Sequence, residues 1–318
     1  MYKRQLFALL HLRSTAPAVE GPALAQAKED ARDFQRDART DPATALSLEV
    51  SRLRYANDPR HIGLVDDEAL EGLDAERAVD IYTERFVGVD DLVIALAGDL
   101  SLDTVIELSE QYIATIPAKP ADTWLDTSPP MAAGVTSSEL VIGPPGSAGA
   151  VSMLFSAPST WDRRTQVEVD LLDQMLNQRL FETVREELAV TYGGWIVLQH
   201  VPDPDSTVES QVLIQGDPDR LDDIRDAILE QISELSIGGP TADEFDRAVN
   251  VLESDYGFIT NNDLIDQALA VVNLDQGPFG TNERFELLRA VSRRDVQELA
   301  ATLLPLDQRI EVLRFPES

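Results

Sequence analysis

The chain contains no cysteine among its 318 residues. Disulfides, thiolate metal sites and a thiol nucleophile are thereby excluded, while reducing and oxidising compartments both stay compatible. Histidine is nearly as scarce. His11, His61 and His200 are the only three, and none has a second histidine within four residues. A zinc hydrolase presents two imidazoles and a carboxylate to one ion, commonly as H-x-x-E-H or H-E-x-x-H on one helix, and neither pattern occurs. Cationic residues are few as well: 26 Lys and Arg stand against 57 Asp and Glu, a net charge of -31. Such an excess repels nucleic acid and anionic membrane surfaces. It would attract cationic peptides, although an acidic face suited to salty surroundings explains it more simply.

Long apolar runs are missing too. The longest resemble LVIALAG at 92–98, too short to span a bilayer, and the first twenty residues lack the apolar core and small residues of a signal peptide. An export signal, if the natural protein has one, lies outside this chain. No G-x-S-x-G elbow is present to expose a nucleophilic serine. GPPGSAGA (143–150) has no lysine and leads into a strand, so it reads as a turn and not as a phosphate cradle. DPDRLDDIRD (217–226) lacks the glycine and terminal glutamate of a calcium loop, and its Asp217 and Asp219 suit a helix N-terminus.

What is present is a globular chain, 43% hydrophobic, large enough for two domains. Periodicity predicts helices near 2–13, 23–38, 42–55, 66–70, 74–86 and 101–114, with a strand at 91–97. A proline-rich stretch at 117–134 reads as a linker. Strands follow at 137–142, 149–157, 191–200 and 206–215, with a long helix at 162–188 between the second and third. Helices near 218–235, 241–258, 261–273 and 281–303 and a strand at 309–315 complete the pattern.

A shift of 218 residues relates the two ends of the chain, as in an internal duplication. Gly21-Pro22 falls on Gly239-Pro240, and Leu6, Leu9 and Leu10 fall on Ile224, Ala227 and Ile228. LDAERAVDIY (73–82) falls on VSRRDVQELA (291–300), with Asp74 and Ser292 both placed to cap a helix. LVIAL (92–96) falls on IEVLR (310–314). The counterparts of residues 135–218 are absent from the first repeat, so its strand at 91–97 lacks partners. The expectation is that the chain is the C-terminal piece of a longer protein, Met1 being a misplaced start.

One polar pair stands out in REELAVTYGGW (185–195): Arg185 at the end of the long helix and Tyr192 at the start of a strand. Arg185 pairing with a helical glutamate and Tyr192 as an ordinary strand aromatic is one reading. The other sets a guanidinium fork and a phenol donor across one helix-to-strand turn, facing a cleft, where both bond peptide carbonyl oxygens.

The order of elements, VIALAGDLSLDTVIELSEQYIATIPA (93–118), YANDPRHIGLVDDEALEGLDAERAVDIYTERF (55–86) and REELAVTY (185–192) together resemble the pitrilysin/insulinase family of zinc metallopeptidases, the inverzincins. The resemblance covers nearly the whole chain. It implies an α+β fold: two repeated domains, each a mostly antiparallel sheet with helices packed on one side, the first truncated at its N-terminus. The truncated repeat would occupy 1–118, the linker 119–134 and the complete, inactive peptidase-like repeat 135–318. It further implies that this is the non-catalytic C-terminal part of a peptidase that helps enclose and bind peptide substrate. The alternative is a catalytically dead structural or interaction subunit of the same fold. The family's R-x-x-x-x-x-x-Y pattern falls on Arg185 and Tyr192, which by resemblance bind substrate. Ala189 and Val190 depart from the family, whose members often have glycine there. No catalytic residue, cofactor or metal site is expected in this chain. Zinc is expected in the missing N-terminal half, fused or separate, and that half and the peptide are the expected partners. Open sheet edges also favour a homodimer, and a periplasmic or other extracytoplasmic location is favoured over the cytoplasm.

Overall fold

A computed structural model of the chain describes residues 2–55, 58, 61, 63–88, 92–120, 131–186, 193–201, 206–273 and 277–318. The contacts divide it into two units. The larger comprises Arg36–Gly63, Asp126–Phe258 and Phe279–Ser318; the smaller comprises Met1–Gln35, Leu64–Leu125 and Ile259–Pro278.

The smaller unit is helical. It holds α1 (Tyr2–Thr15), most of α2 (Gly21–Ala38), α4 (Asp67–Glu71), α5 (Ala75–Phe86), α6 (Leu102–Leu108) and α10 (Asn261–Asn273). Its helix starts are chemically explicit. Asp66, Asp74 and Ser101 each accept a backbone N–H three residues on, satisfying a donor that the first turn leaves free. α6 runs on into a π-helical turn, Ser109–Ile113, on which α1 packs. The predicted strand at 91–97 does not form: described residues 92–97 carry no strand assignment.

The larger unit is built on one sheet. Its strands are β1 (Val135–Val141), β2 (Gly149–Pro158), β3 (Gly193–Val201), β4 (Thr207–Gly216) and β5 (Arg309–Phe315), in the order β1-β5-β2-β4-β3. All neighbours are antiparallel except β1 and β5. β2 lies in the middle, so both of its faces are buried: Val151, Met153, Phe155 and Ala157 on one side, Ala150 and Leu154 on the other. Against the first face pack α7 (Arg163–Glu186), α8 (Leu221–Gly238) and α12 (Arg293–Leu303), backed by α9 (Ala242–Tyr256) and α11 (Thr281–Ala290). The stripe Leu221, Ile224, Ile228, Ile232 and Leu235 repeats at three and four residues along α8, and all five are buried.

The sequence predicts one helix over 281–303, but two form. Val291 leaves the helix in an extended conformation, and Ser292 opens α12 through a capping box with Asp295. A further element joins this unit: α3 (Pro42–Tyr55) covers part of the sheet's second face, setting Leu46 on Ala150, Leu154, Ile310 and Val312. Arg54 donates to Glu209 at 3.1 Å, and Ser138 donates to Glu49 at 2.6 Å, fastening α3 to β4 and β1.

Displacing the second half by 218 residues lands element on element. α8 falls on 3–20, where α1 lies; α9 on 24–38, within α2; and α12 on 75–85, within α5. α10 falls on 43–55, within α3, yet α10 belongs to the smaller unit and α3 to the larger.

Candidate functional site around the start of β3

Arg185 lies in the last turn of α7, and Tyr192 immediately precedes β3. The side chain of Arg185 and all of 187–192 lie outside the described residues. What frames them is described. Gly193 has φ +154°, and a Cβ on Gly194 would stand 2.5 Å from the Leu213 carbonyl oxygen. Both glycines of the YGG sequence are therefore required by the backbone, which sets the chain leaving Tyr192 directly against β4.

Sequence reasoning missed the two side chains that hold β3 in place. β3 ends the sheet, and the peptide groups on its far side need partners. Asn177 of α7 supplies two: its amide donates to the Ile196 carbonyl at 2.9 Å, and its oxygen accepts the Ile196 N–H at 3.1 Å. Asp173, one turn earlier, accepts the Leu198 N–H at 2.8 Å. Two polar side chains thus bond β3 as a sixth strand would. The signal in the sequence was an Asp and an Asn four residues apart on a helix whose neighbours Leu172, Met175, Leu176 and Leu180 are all buried.

Burial pushes the Asp173 carboxyl up to about 6, against the stabilising Leu198 N–H, and Asp170 adds to the rise. Asp170 in turn accepts from the Tyr256 hydroxyl at 2.7 Å. Desolvation raises both of that pair, and the guanidinium of Arg284 over the Tyr256 ring opposes it. Lower on α7, Arg179 makes a two-pronged pair with Glu244, at 2.9 and 3.0 Å. Glu244 stays below the usual carboxylate range despite its burial, through Arg179 and the cap of α9.

The histidines are accounted for separately. His11 Nδ1 is 2.7 Å from the Tyr112 carbonyl oxygen, so it donates; His61 stacks on Tyr55 with centroids 4.6 Å apart. His200 lies edge-on to Trp161 at 4.4 Å, where burial lowers its pKa. Among the described residues, no group of three or more His, Asp or Glu is arranged to hold a metal ion. The same residues include no helix long and apolar enough to cross a membrane. Past α3, the second face of the sheet opens to solvent at Trp195 and Val197 of β3 and at Gln211 of β4.

A mostly antiparallel sheet with α7, α8 and α12 on one face and α3 on part of the other is what comparison with known proteins must explain. Residues 73–252 match the family described as the peptidase M16 inactive domain. The chain belongs to the peptidase M16 family. Its match is to the inactive, C-terminal type of M16 domain, the zinc-protease family called pitrilysin-like. The probable zinc protease PqqL of Haemophilus influenzae is 22% identical over 221 residues, which cover 69% of this chain and 23% of that protein. The chain thus spans about a quarter of that relative. Among solved structures, the M16 inactive domain from Pseudomonas fluorescens superposes with a TM-score of 0.83 at 19% identity, over 99% of this chain and 76% of that one. The periplasmic protease PqqL from Escherichia coli gives 0.78 at 15% identity, over 99% of this M16 chain and 35% of the neighbour. At these identities the superpositions establish the fold.

Proposed function

We propose that this M16 chain is the non-catalytic part of a zinc peptidase and helps to enclose and orient a peptide substrate. Membership of the inactive-domain family carries the reading. In it, residues 1–118 are a truncated repeat, 119–134 a linker and 135–318 a complete repeat. The family reading assigns zinc and its chemistry to a catalytic part outside this chain, and no step here passes through it. A periplasmic or other extracytoplasmic location, like that of the periplasmic protease PqqL from Escherichia coli, is the reading for this protein too.

Within that frame Tyr192 donates its hydroxyl to the scissile carbonyl oxygen as that oxygen gains charge, and Arg185 binds a neighbouring peptide carbonyl. Two features support it. The glycines at 193 and 194 bring the chain after Tyr192 hard against β4, and Asn177 and Asp173 occupy the edge of β3. With that edge taken, a peptide meets this unit through side chains, and strand addition falls to the catalytic part.

The test is kinetic. In the whole enzyme, Tyr192→Phe should lower kcat about 100-fold, the usual cost of one oxyanion donor. Turnover at the wild-type rate would end the assignment. The isolated chain should cleave no peptide; chelator-sensitive cleavage by the pure chain would overturn the non-catalytic reading.

A further inference from the structure

Asn177 is held more tightly than closing a sheet edge requires. Nδ2 donates to the Asp173 carbonyl of its own helix at 3.0 Å and to the Ile196 carbonyl at 2.9 Å, while Oδ1 accepts the Ile196 N–H at 3.1 Å. Both amide hydrogens and the amide oxygen are thus placed, and a flipped amide would set hydrogens against the Ile196 N–H. The neighbouring Leu176 and Leu180 of α7 join Ile196 and Leu198 of β3 in one buried core. A paired donor and acceptor on one residue fixes register as well as distance. Asp173 gives β3 a single bond, at Leu198. Were β3 to slip by two residues along α7, its start would move by about 7 Å.

The place of this pairing matters. Arg185 stands eight residues beyond Asn177 on α7, about 12 Å along the helix axis. Tyr192 stands four residues before Ile196, at most about 14 Å of chain. The other edge of β3 is gripped close by, where Gly194 leaves no room for a Cβ against the Leu213 carbonyl oxygen of β4. The geometry points to Asn177 as a positioning residue for the site proposed at Arg185 and Tyr192. By riveting Ile196 to α7 it sets where the start of the strand stands relative to the end of the helix. The two side chains then meet the peptide's carbonyl oxygens at a fixed separation, and an error of about 1 Å in such a separation costs up to 100-fold in rate. This inference rests on the role proposed for Arg185 and Tyr192.

A double-mutant cycle in the whole enzyme tests it, with one internally quenched peptide that the wild type cleaves used for every variant. Asn177→Ala should lower kcat about tenfold with KM unchanged within about twofold. In a Tyr192→Phe background the same substitution should cost less than about twofold more, because the donor it positions is already gone. A loss of stability alone would act equally in both backgrounds. Asn177→Asp guards against a folding defect: it keeps the shape and the bond from the Ile196 N–H but sets a carboxylate oxygen against the Ile196 carbonyl, so kcat should fall at least as far as in Asn177→Ala. Circular dichroism at the assay temperature confirms that each variant is folded. The inference alone is overturned if Tyr192→Phe is impaired while folded Asn177→Ala and Asn177→Asp both turn over at the wild-type rate, or if Asn177→Ala costs its full tenfold in the Tyr192→Phe background. Wild-type turnover by Tyr192→Phe itself would overturn the functional reading, and this inference with it.

Discussion

In the larger unit α8 presses Ile224 and Ile228 against the sheet, and both are fully buried. In the smaller unit the helix at the same place in the repeat pattern leaves Leu6 and Leu9 more than half exposed. The two stripes read alike in sequence. A 3.6-residue apolar period states that a helix has a face to bury, but not that its cover is at hand. The smaller unit is stitched at its ends, by caps at Asp74 and Ser101 and by Lys119 donating to the Thr83 carbonyl, and it buries Phe7, Leu70 and Leu108 while Leu6 and Leu9 stay open.

The comparison can be broken most directly by paired truncations. Ile224→Ala should cost about 3 kcal/mol in chemical denaturation, because it empties a fully enclosed site, whereas Leu6→Ala should stay within about 0.5 kcal/mol. Equal losses would mean that α1 is covered in solution. The ion pairs make a second, smaller contrast. Glu244→Gln removes the carboxylate of the enclosed Arg179 fork and should cost about 2 kcal/mol. Arg32→Ala in the smaller unit cuts a pair whose glutamate partners, Glu29 and Glu71, are exposed, so its effect should fall below about 0.5 kcal/mol.

Titration sharpens the larger unit further. Asp173 is raised to about 6 from an unfolded value of 3.8, so the folded state holds its proton more tightly. Its contribution is therefore full below the unfolded value and is lost as pH rises toward 6. Discounted for partial solvent access, the loss is about 1 kcal/mol. Asp173→Asn, which keeps an acceptor for the Leu198 N–H, should remove this slope and stabilise the protein at pH 7 by a similar amount. An unchanged pH profile would show that Asp173 ionises at its ordinary value. The smallest contrast is one of likeness. Asp74→Ala and Ser292→Ala remove the caps of α5 and α12, and each should cost about 1 kcal/mol; a cap that matters in one unit alone would separate two elements that the 218-residue displacement pairs.

Much of this was legible in the sequence because it was local. Helix starts announced themselves through Asp74 and Ser292, and β2 through its run of apolar residues at the sheet centre. The family emerged from the order of elements and matched an independent family description over 73–252. Three things were not local. The break at Val291 was hidden because the apolar period continues across it into Val296 and Ala300. α3 reads as a helix of the first repeat, and only packing assigns it to the second face of a sheet some ninety residues on. Asp173 and Asn177 look like ordinary polar helix residues until β3 lies beside them. Of the proposed site, the sequence supplied Arg185 and Tyr192, and the structure describes Gly193 and Gly194, which follow Tyr192.

The bond between Asn177 and the backbone of Ile196 also bears on how such a protein survives in concentrated solution. A sheet's outermost strand is a template: any extended chain that finds it can join, and the joined chain offers the same template again. Here the template ends in a side-chain amide, which gives one bond to the strand and takes one from it, with nothing beyond them to copy. Along Ile196 and Leu198 the sheet has a last strand by chemistry, so an arriving chain finds those groups already bonded.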